Sequence, residues 1–343
     1  MREMSFRVDV LRNGVSFERL EFTDPPSIFA DSSADICMSL KGTFIHNPNV
    51  DYITDELRPV VIIDGVEHPA GVYIVSTIRQ SVNAAGIVRD SIEAYDRTIR
   101  LSWAKLEERP YYAAGGSYDQ IISQYLTKAG IDNVMFTASG YTLQSDREDW
   151  DIGTSYLKII NTLLSELAYN PIRFSLDGVA QLTPYASPSI ANVAHTYRQD
   201  DVLSMLSPGM SIETDMYSKP NVFIAILSNP EYPEPIMRKA ENDSMSSPLS
   251  TVRRGLRIPQ VYNVSNIASD IALDRYARQL RDESMLTSET VTISTGIQPE
   301  RGVGDTVALM YNDTIGIYRE LSWTYTLQAG SLMSHKLQRT VIT

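Results

Sequence analysis

The sequence predicts an α+β fold that is mainly β, in which an α-rich module and one additional helix interrupt two strand-rich regions. Short apolar segments alternate with turn residues in residues 5–103 and again after about residue 196, which is typical of an antiparallel barrel or sandwich. Between these regions, apolar residues recur with a helical period. A motif near the end of the chain also repeats one near its beginning. The 343 residues are enough for two or three domains of roughly 100–200 residues each.

The first strand-rich region is predicted to contain two hairpins. Apolar and polar residues alternate from Ser5 to Leu11 and again from Val15 to Phe22, and the Asn13-Gly14 pair between them is a strong turn signal. A second hairpin is predicted across Asp64-Gly65. One more strand, from Ile87 to Ala94, completes the region.

Two amphipathic helices are predicted in the middle of the chain. Ser117 is a suitable N-cap for the first helix, whose apolar residues follow helical spacing until Gly130 ends it. Thr154 or Ser155 caps the second helix, which is rich in leucine. A hairpin across Asp177-Gly178 follows. We expect these elements to form one α-rich module.

Strands return after about residue 196, and two segments interrupt them. The segment from Ser228 to Pro235 holds three prolines, which fix the backbone and remove donors, so we expect a rigid exposed loop. A third helix is predicted from Asn266 to Glu283. Its predicted buried face consists of Ile267, Ile271, Ala277 and Leu280.

The internal repeat consists of a glycine-aliphatic-tyrosine motif in similar surroundings. Gly71-Val72-Tyr73 and Gly316-Ile317-Tyr318 each follow an apolar strand and a turn. A further glycine, in an Ala-Gly pair, lies 15 residues after Gly71 and 14 residues after Gly316, and another strand follows each pair. Two copies of such a unit predict two related β-domains in one chain. The alternative is that two unrelated meanders share these residues, because turns draw on few residue types.

Composition excludes several classes of protein. The 42 acidic and 30 basic residues give a formal net charge of −12, and each of the three predicted regions is net acidic, which disfavours a firm grip on DNA. Apolar runs fall far short of the roughly 18 residues of a membrane helix. The first residues lack the pattern of a secretory signal, so we expect folding in the cytosol. One cysteine excludes a disulfide framework within the chain.

Motifs for catalysis or metal binding are scarce. The four histidines lie far apart, so helical zinc spacing is absent, and we expect surface or turn positions for His46, His68, His195 and His335. The alternation of apolar and polar residues around Cys37 places it in a strand, and we expect it to be a core thiol. Residues 146–153 cluster carboxylates, but their spacing fails the EF-hand template. We therefore expect a solvated loop with Trp150 packed beneath it, and no catalytic, cofactor-binding or metal-binding residue is assigned.

One basic stretch and the tyrosines are further candidate binding features. Residues 253–257 hold three arginines, which predict a solvated or subunit-contact loop. The 19 tyrosines could stack sugars, but tyrosine in strands more often serves packing.

Several segments in order resemble the baseplate hub and tail-tip proteins of bacteriophages. The first region closes on Ile92-Glu93-Ala94-Tyr95-Asp96-Arg97, and Gly115-Gly116-Ser117-Tyr118-Asp119 opens the first helix. Gly153-Thr154-Ser155 opens the second helix, and Gly302-Val303-Gly304-Asp305 precedes the closing strands. The resemblance covers most of the chain and depends on the order and spacing of short motifs.

The resemblance implies two tail-tube-like antiparallel β-barrels in one chain. The first barrel would span residues 1–105, the α-rich module with its hairpin 106–195, and the second barrel 196–343, with an inserted loop (228–260) and helix (264–285). The implied function is structural and non-enzymatic, without a cofactor: a homotrimeric, pseudo-six-fold ring in the baseplate of a virion tail or contractile injection system. Such a ring would be assembled in the host cytoplasm.

The resemblance also implies partners. They are the tail tube protein, a spike or tip protein, other baseplate proteins and the tape measure protein, with DNA only as passing cargo and no stable membrane insertion. Many members of the family carry a peptidoglycan hydrolase or a spike domain, and no such region is recognised in this sequence, so we expect a separate protein to supply the tip. The alternative functions are a cell-wall-degrading tail hydrolase and a carbohydrate-binding receptor protein.

Overall fold

The fold is given by a computed structural model, which describes residues 3–186, 189–200, 205–214, 219–227, 235–264, 266–286 and 289–340. The proline-rich loop predicted from Ser228 to Pro235 lies, up to residue 234, outside the described residues. None of the described helices is both long and apolar enough to span a bilayer.

Eight strands form the first β-unit, the name used here for the sheet region before residue 97. They are β1 (Met4–Arg12), β2 (Val15–Leu20), β3 (Phe22–Asp31), β4 (Met38–Ile45), β5 (Glu56–Ile63), β6 (Val66–Pro69), β7 (Tyr73–Val82) and β8 (Val88–Asp96). The predicted hairpin turns at Asn13-Gly14 and Asp64-Gly65 are confirmed, with positive φ at all four residues, as tight hairpin turns require. The strand order is β2-β1-β5-β7-β8-β4-β3, and β6 adds to the edge of β5.

The α-rich module follows. Its elements are α1 (Thr98–Trp103), α2 (Tyr118–Lys128), β9 (Val134–Phe136), α3 (Tyr156–Glu166), β10 (Arg173–Phe174) and β11 (Ala180–Leu182). The predicted N-caps Ser117 and Ser155 accept backbone N–H groups of α2 and α3. Gly130, with φ at +70°, ends α2 as predicted. The hairpin across Asp177-Gly178 joins β10 to β11.

The remaining elements complete the chain. They are β12 (Val193–Arg198), β13 (Ser211–Thr214), β14 (Val222–Leu227), β15 (Ile236–Glu241), α4 (Thr251–Arg254), β16 (Pro259–Val264), α5 (Asp270–Leu286), β17 (Glu289–Gly296), β18 (Thr306–Tyr311), β19 (Thr314–Thr326) and β20 (Leu332–Thr340). Strands β12, β13 and β17 to β20 form the second β-unit. Strands β14, β15 and β16 form a separate small sheet.

The two β-units have the same strand order. The first unit contains the path β1-β5-β7-β8-β4-β3, and the second contains β12-β18-β19-β20-β17-β13. When the six strands of each path are numbered 1 to 6 in chain order, both paths have the strand order 1-4-5-6-3-2. The units differ in one pairing, because β1 is antiparallel to β5 whereas β12 is parallel to β18. Shared topology supports the duplication that the repeated motif predicts.

Local geometry strengthens this correspondence. The pairing of β7 with β8 shifts register between Val75 and Thr77, and that of β19 with β20 shifts between Glu320 and Ser322. Counted from Gly71 and Gly316, both bulges fall at the same positions. In each unit the tyrosine two residues after the glycine folds back over it, so that a Cβ on Gly71 would lie 2.6 Å from the Tyr73 hydroxyl oxygen. Only a residue without a side chain allows this approach.

The mainly β class with inserted helices is confirmed, but the strands of the two units form one continuous path. Among the described pairings, neither unit closes on itself as a barrel. The physical reason in the first unit is that the edge of β3 facing away from β4 pairs with β19 of the second unit. Within one chain, the strands of both units thus belong to a shared 14-stranded sheet.

The inserted segments share one hydrophobic core. Helix α5 and strand β14 bury residues in the same cluster as α2 and α3, so the helix assigned to the second barrel packs with the module. The predicted inward position of Ile271 is wrong, since its side chain is 61% exposed. Ala272 and Leu273 are buried instead, because the helix begins at Asp270 and turns that face toward the small sheet.

Candidate assembly site

The two β-units meet in a short antiparallel pairing between β19 and β3. Ser322 lies opposite Asp31 and Thr326 lies opposite Ser27. Just beyond the pairing, the Leu327 N–H donates to the Pro26 carbonyl at 2.8 Å. Since β3 also pairs with β4, backbone groups on both of its edges are used. We refer to this pairing as the junction.

The inner face of the junction is apolar and buried. Trp323 and Tyr325 stack with ring centroids 5.5 Å apart, and they belong to the same core cluster as Ile28 and Ala30. Burying a large apolar side chain contributes about 1.5–3 kcal/mol. Apolar packing therefore holds the two units together in addition to the backbone hydrogen bonds.

Arg173 connects the α-rich module to both units. Its Nη1 donates to the Val303 carbonyl at 2.8 Å, and its Nη2 donates to the Ser32 carbonyl at 3.4 Å. Burial lowers the pKa of Arg173, and the nearby Arg319 cation lowers it further. Gly304 has φ at +78°, and a Cβ there would overlap the guanidinium. The module is thus anchored to a loop of each unit by one half-buried cation.

The carboxylate-rich segment 146–153 surrounds a buried arginine. Its four carboxylates are exposed and Trp150 is buried, as expected of a solvated segment. Arg147, however, is buried; it donates to Glu166 at 2.6 Å and to Asp149 at 2.7 Å and lies over the Trp150 ring. Tyr118 donates to the same Glu166 carboxylate at 2.8 Å. The arrangement ties the loop to α2 and α3 through a hydrogen-bonded ion pair.

The four histidines do not form one site, although His195 and His335 both pack against the Tyr197 ring, with centroids 4.8 and 5.2 Å away. His46 bonds Asp90 at 2.8 Å, and His68 lies 3.2 Å from Glu300 of the second unit. The expectation of a surface or turn position is wrong for His335, which is fully buried and hydrogen-bonded to Glu320, because its strand position points into the second unit's interior. Within the described residues, no three His, Cys, Asp or Glu side chains form a set that could hold a metal ion.

Cys37 is a buried thiol, which donates to the Ala34 carbonyl at 3.4 Å. Burial raises its pKa to about 11. We expect alkylation by iodoacetamide at pH 8 to be at least ~100-fold slower than for an ordinary exposed thiol, because the thiolate is the reactive species. A Val15→Cys variant supplies an exposed thiol in the same chain, since Val15 is 67% exposed. Mass spectrometry of timed reactions measures both rates, and equal rates would contradict the core assignment.

Arg257 of the basic stretch and several of the tyrosines are engaged in structural contacts. Arg257 forms a two-pronged ion pair with Glu241 at 2.6 and 2.7 Å, while Leu256 is exposed. Five tyrosines are among the largest fully buried side chains: Tyr73, Tyr118, Tyr125, Tyr197 and Tyr318. Tyrosines buried in this way serve packing and are not available to stack sugars.

Sequence reasoning missed the junction and Arg173. Two signals bear on the junction: the apolar pairs Ile28/Ala30 and Trp323/Tyr325 each alternate along a strand, which indicates a buried face but not its partner. No local pattern marks Arg173, because its acceptors are backbone carbonyls far away in sequence.

The fold of this chain is similar to that of known proteins, whereas its sequence is not. No protein-family model matches the sequence, and no curated protein matches it. Among solved structures, a tail protein from Neisseria meningitidis is similar with a TM-score of 0.68 and 14% identity, covering 98% of this chain and 97% of that one. The 43 kDa tail protein of prophage MuSo2 from Shewanella oneidensis gives a TM-score of 0.66 and 13% identity, covering 98% of both chains.

A third solved structure extends the likeness to a secretion system. It is an E. coli protein described as a component of the type VI secretion system with structural similarity to the T4 bacteriophage tail proteins gp27 and gp5. The TM-score is 0.54 at 8% identity, covering 96% of this chain and 76% of that one. Because these sequence identities are low, the evidence for the similarity is the architecture shared over nearly the whole chain. The chain therefore has the fold of phage tail proteins.

Proposed function

We propose that this protein is a structural baseplate hub of a phage or phage-like tail, which forms a homotrimeric ring between the tail tube and the central spike or tip. The observation that carries the proposal is the identical strand order of the two β-units. Three chains with two units each present six similar units, so a trimer can match a six-fold tube on one side and a three-fold spike on the other.

The fold of the relatives supports this role. Two similar structures are phage or bacterial tail proteins, and the E. coli relative is described as resembling tail proteins of phage T4. By this proposal the protein resides in the virion tail baseplate after assembly in the host cytoplasm. Its partners are the tube, spike, tape measure and other baseplate proteins. The division into domains at 1–105, 106–195 and 196–343 belongs to the same proposal.

Charge supports passage of DNA without retention. The net charge of −12 per chain becomes threefold larger in a trimer, and an acidic channel wall repels phosphates at short range. We therefore propose a channel through which DNA passes, and a non-enzymatic role.

The decisive measurement is the mass and shape of the purified protein. Light scattering at micromolar concentration is expected to give three times the 38.4 kDa of one chain, and negative-stain micrographs are expected to show three-fold rings with a central hole. A monomeric mass without rings would contradict the proposal. Zymography on cell walls and a glycan array serve as controls, because a cleared band would support a hydrolase and specific glycan binding would support a receptor protein.

A further inference from the structure

Among the described strands, each β-unit has one unpaired strand edge whose counterpart in the other unit is paired in the junction. In the part of the chain that the structure describes, residues 77–82 of β7 pair only with β8, whereas the equivalent part of β19 also pairs with β3. Strand β13 likewise pairs only with β17 among the described strands, whereas its counterpart β3 pairs on both edges. Unpaired edges are templates for pairing with another chain.

From these edges we propose that β7 of one chain pairs with β13 of a second copy of this chain, in the same antiparallel arrangement that joins β19 to β3. The inference rests on the ring proposed above and specifies which edges hold it together. Each open edge would thus pair with the other open edge on a neighbouring subunit, in the way that β19 pairs with β3 within the chain.

The strand pairings of the two units fix the register of this contact. In the first unit Thr77 lies opposite Glu93, Glu93 opposite Lys41, and Lys41 opposite Ser27. In the second unit Ser322 lies opposite Lys336, Lys336 opposite Thr292, and Thr292 opposite Ser211. Ser211 is therefore the counterpart of Ser27. In the junction Ser27 lies opposite Thr326, whose counterpart is Ser81, since both lie ten residues after the glycine of their unit.

This register places Ser81 opposite Ser211 and Arg79 opposite Glu213. Both charged side chains are exposed, and directly opposed residues of an antiparallel pair lie on the same face, where opposite charges attract. The register was derived from backbone pairing alone, so the match of an arginine with a glutamate is an independent observation. Charge complementarity of this kind also favours the correct partner over others.

The opposite face of the proposed contact is apolar. Ile78 and Ile212 are 43% and 49% exposed in the single chain. They are the counterparts of Trp323 and Ile28, which are buried in the junction. In the proposed contact the two isoleucines become diagonal neighbours across the pair, within the 7–8 Å reach of such positions. Pairing would therefore cover two exposed apolar side chains as well as two open edges.

The contact uses different surfaces on its two sides. Such a heterologous interface either closes into a ring or continues as a filament. Within the chain the second unit's β19 meets the first unit's β3, and between chains the first unit's β7 would meet the second unit's β13. The same type of contact thus repeats from unit to unit, which is the condition for a pseudo-symmetric ring.

Disulfide trapping tests the register in the full chain. An Arg79→Cys/Glu213→Cys double variant is expected to form covalent trimers and dimers under mild oxidation on a non-reducing gel, because opposed positions bring Cα atoms within disulfide range. The matched control is Val82→Cys/Glu213→Cys, which is three residues out of register, or ~10 Å away, and is expected to remain uncrosslinked. The buried Cys37 is expected to stay reduced in both.

The outcomes separate this inference from the proposed function. A monomeric wild-type chain would overturn both. A trimer in which neither cysteine pair crosslinks, or in which both pairs crosslink equally, would overturn the register and leave the ring standing. Charge reversal gives a second test: Arg79→Glu or Glu213→Arg is expected to raise the concentration for half-assembly by ~10-fold, and the double reversal to restore it. Failure of the double reversal to restore assembly would contradict the Arg79–Glu213 contact.

Discussion

An Arg147→Met variant is expected to lose about 3–5 kcal/mol in the free energy of unfolding. The substitution keeps an apolar stem over Trp150 but leaves the Glu166 carboxylate buried without its cation. Tyr118 alone would then hydrogen-bond that carboxylate. Urea denaturation at a fixed protein concentration measures the loss, since oligomer stability depends on concentration.

A matched double variant separates the effect of the unpaired Glu166 charge on stability from the effect of lost packing. Arg147→Met/Glu166→Gln removes both charges and keeps an acceptor for Tyr118, so most of the stability should return. A double variant as unstable as the single one would show that packing, not the unpaired carboxylate, causes the effect.

The pH dependence of the single variant follows from the direction of the Glu166 shift. Burial raises the pKa of Glu166 above its ordinary value even beside Arg147. A carboxyl group whose pKa is higher in the folded than in the unfolded protein stabilises the folded state at pH values below its pKa in the unfolded protein. This stabilisation is lost as the pH rises through the pKa of the folded protein. The deficit of Arg147→Met relative to the wild type should therefore shrink from pH 8 to pH 5. A deficit that grows on acidification would contradict this explanation.

A Gly71→Ala substitution is the second change with a large expected effect, about 3 kcal/mol of lost stability. Gly71 has φ at +107°, and a Cβ would lie 2.6 Å from the hydroxyl oxygen of the fully buried Tyr73. The alanine would strain the backbone and also push the tyrosine away from the Ala70 carbonyl that it bonds at 2.8 Å.

Gly86 provides the matched control for backbone strain. Its φ is +79°, and a Cβ there meets nothing within 4 Å, so Gly86→Ala should cost only the left-handed penalty of about 1–2 kcal/mol. Thermal or urea unfolding of both variants measures the difference. Equal losses would show that the Tyr73 ring accommodates a methyl group, against the steric argument.

Local signals predicted much of the fold. Helices α2 and α3 begin directly after Ser117 and Ser155, because a cap acts on the first turn that follows it. The Asn13-Gly14 and Asp64-Gly65 turns formed as expected for the same reason. The Gly71/Gly316 motif predicted the duplication, since the glycine and its tyrosine are only two residues apart.

Features set by distant residues could not be predicted. Arg147 was expected in a solvated loop, because its burial depends on Glu166, which α3 supplies 19 residues later. The junction joins residues 296 positions apart, and the sequence of either strand shows only that one face is buried. The prediction for Ile271 is wrong because the helical spacing of apolar residues allows either of two adjacent helix faces to be buried. The small sheet on which α5 packs decides between them.

The length of chain that the junction spans has a consequence for biosynthesis. The edge of β3 emerges from the ribosome early, but residues 322–326 that cover it are made almost 300 residues later. At 5–20 residues per second this delay is roughly 15–60 s. Until residues 322–326 have been made, a nascent chain exposes an edge that can capture a strand from a neighbouring nascent chain on the same messenger. Long-range closure of this kind is slow, and the uncovered edge is prone to aggregation in the meantime.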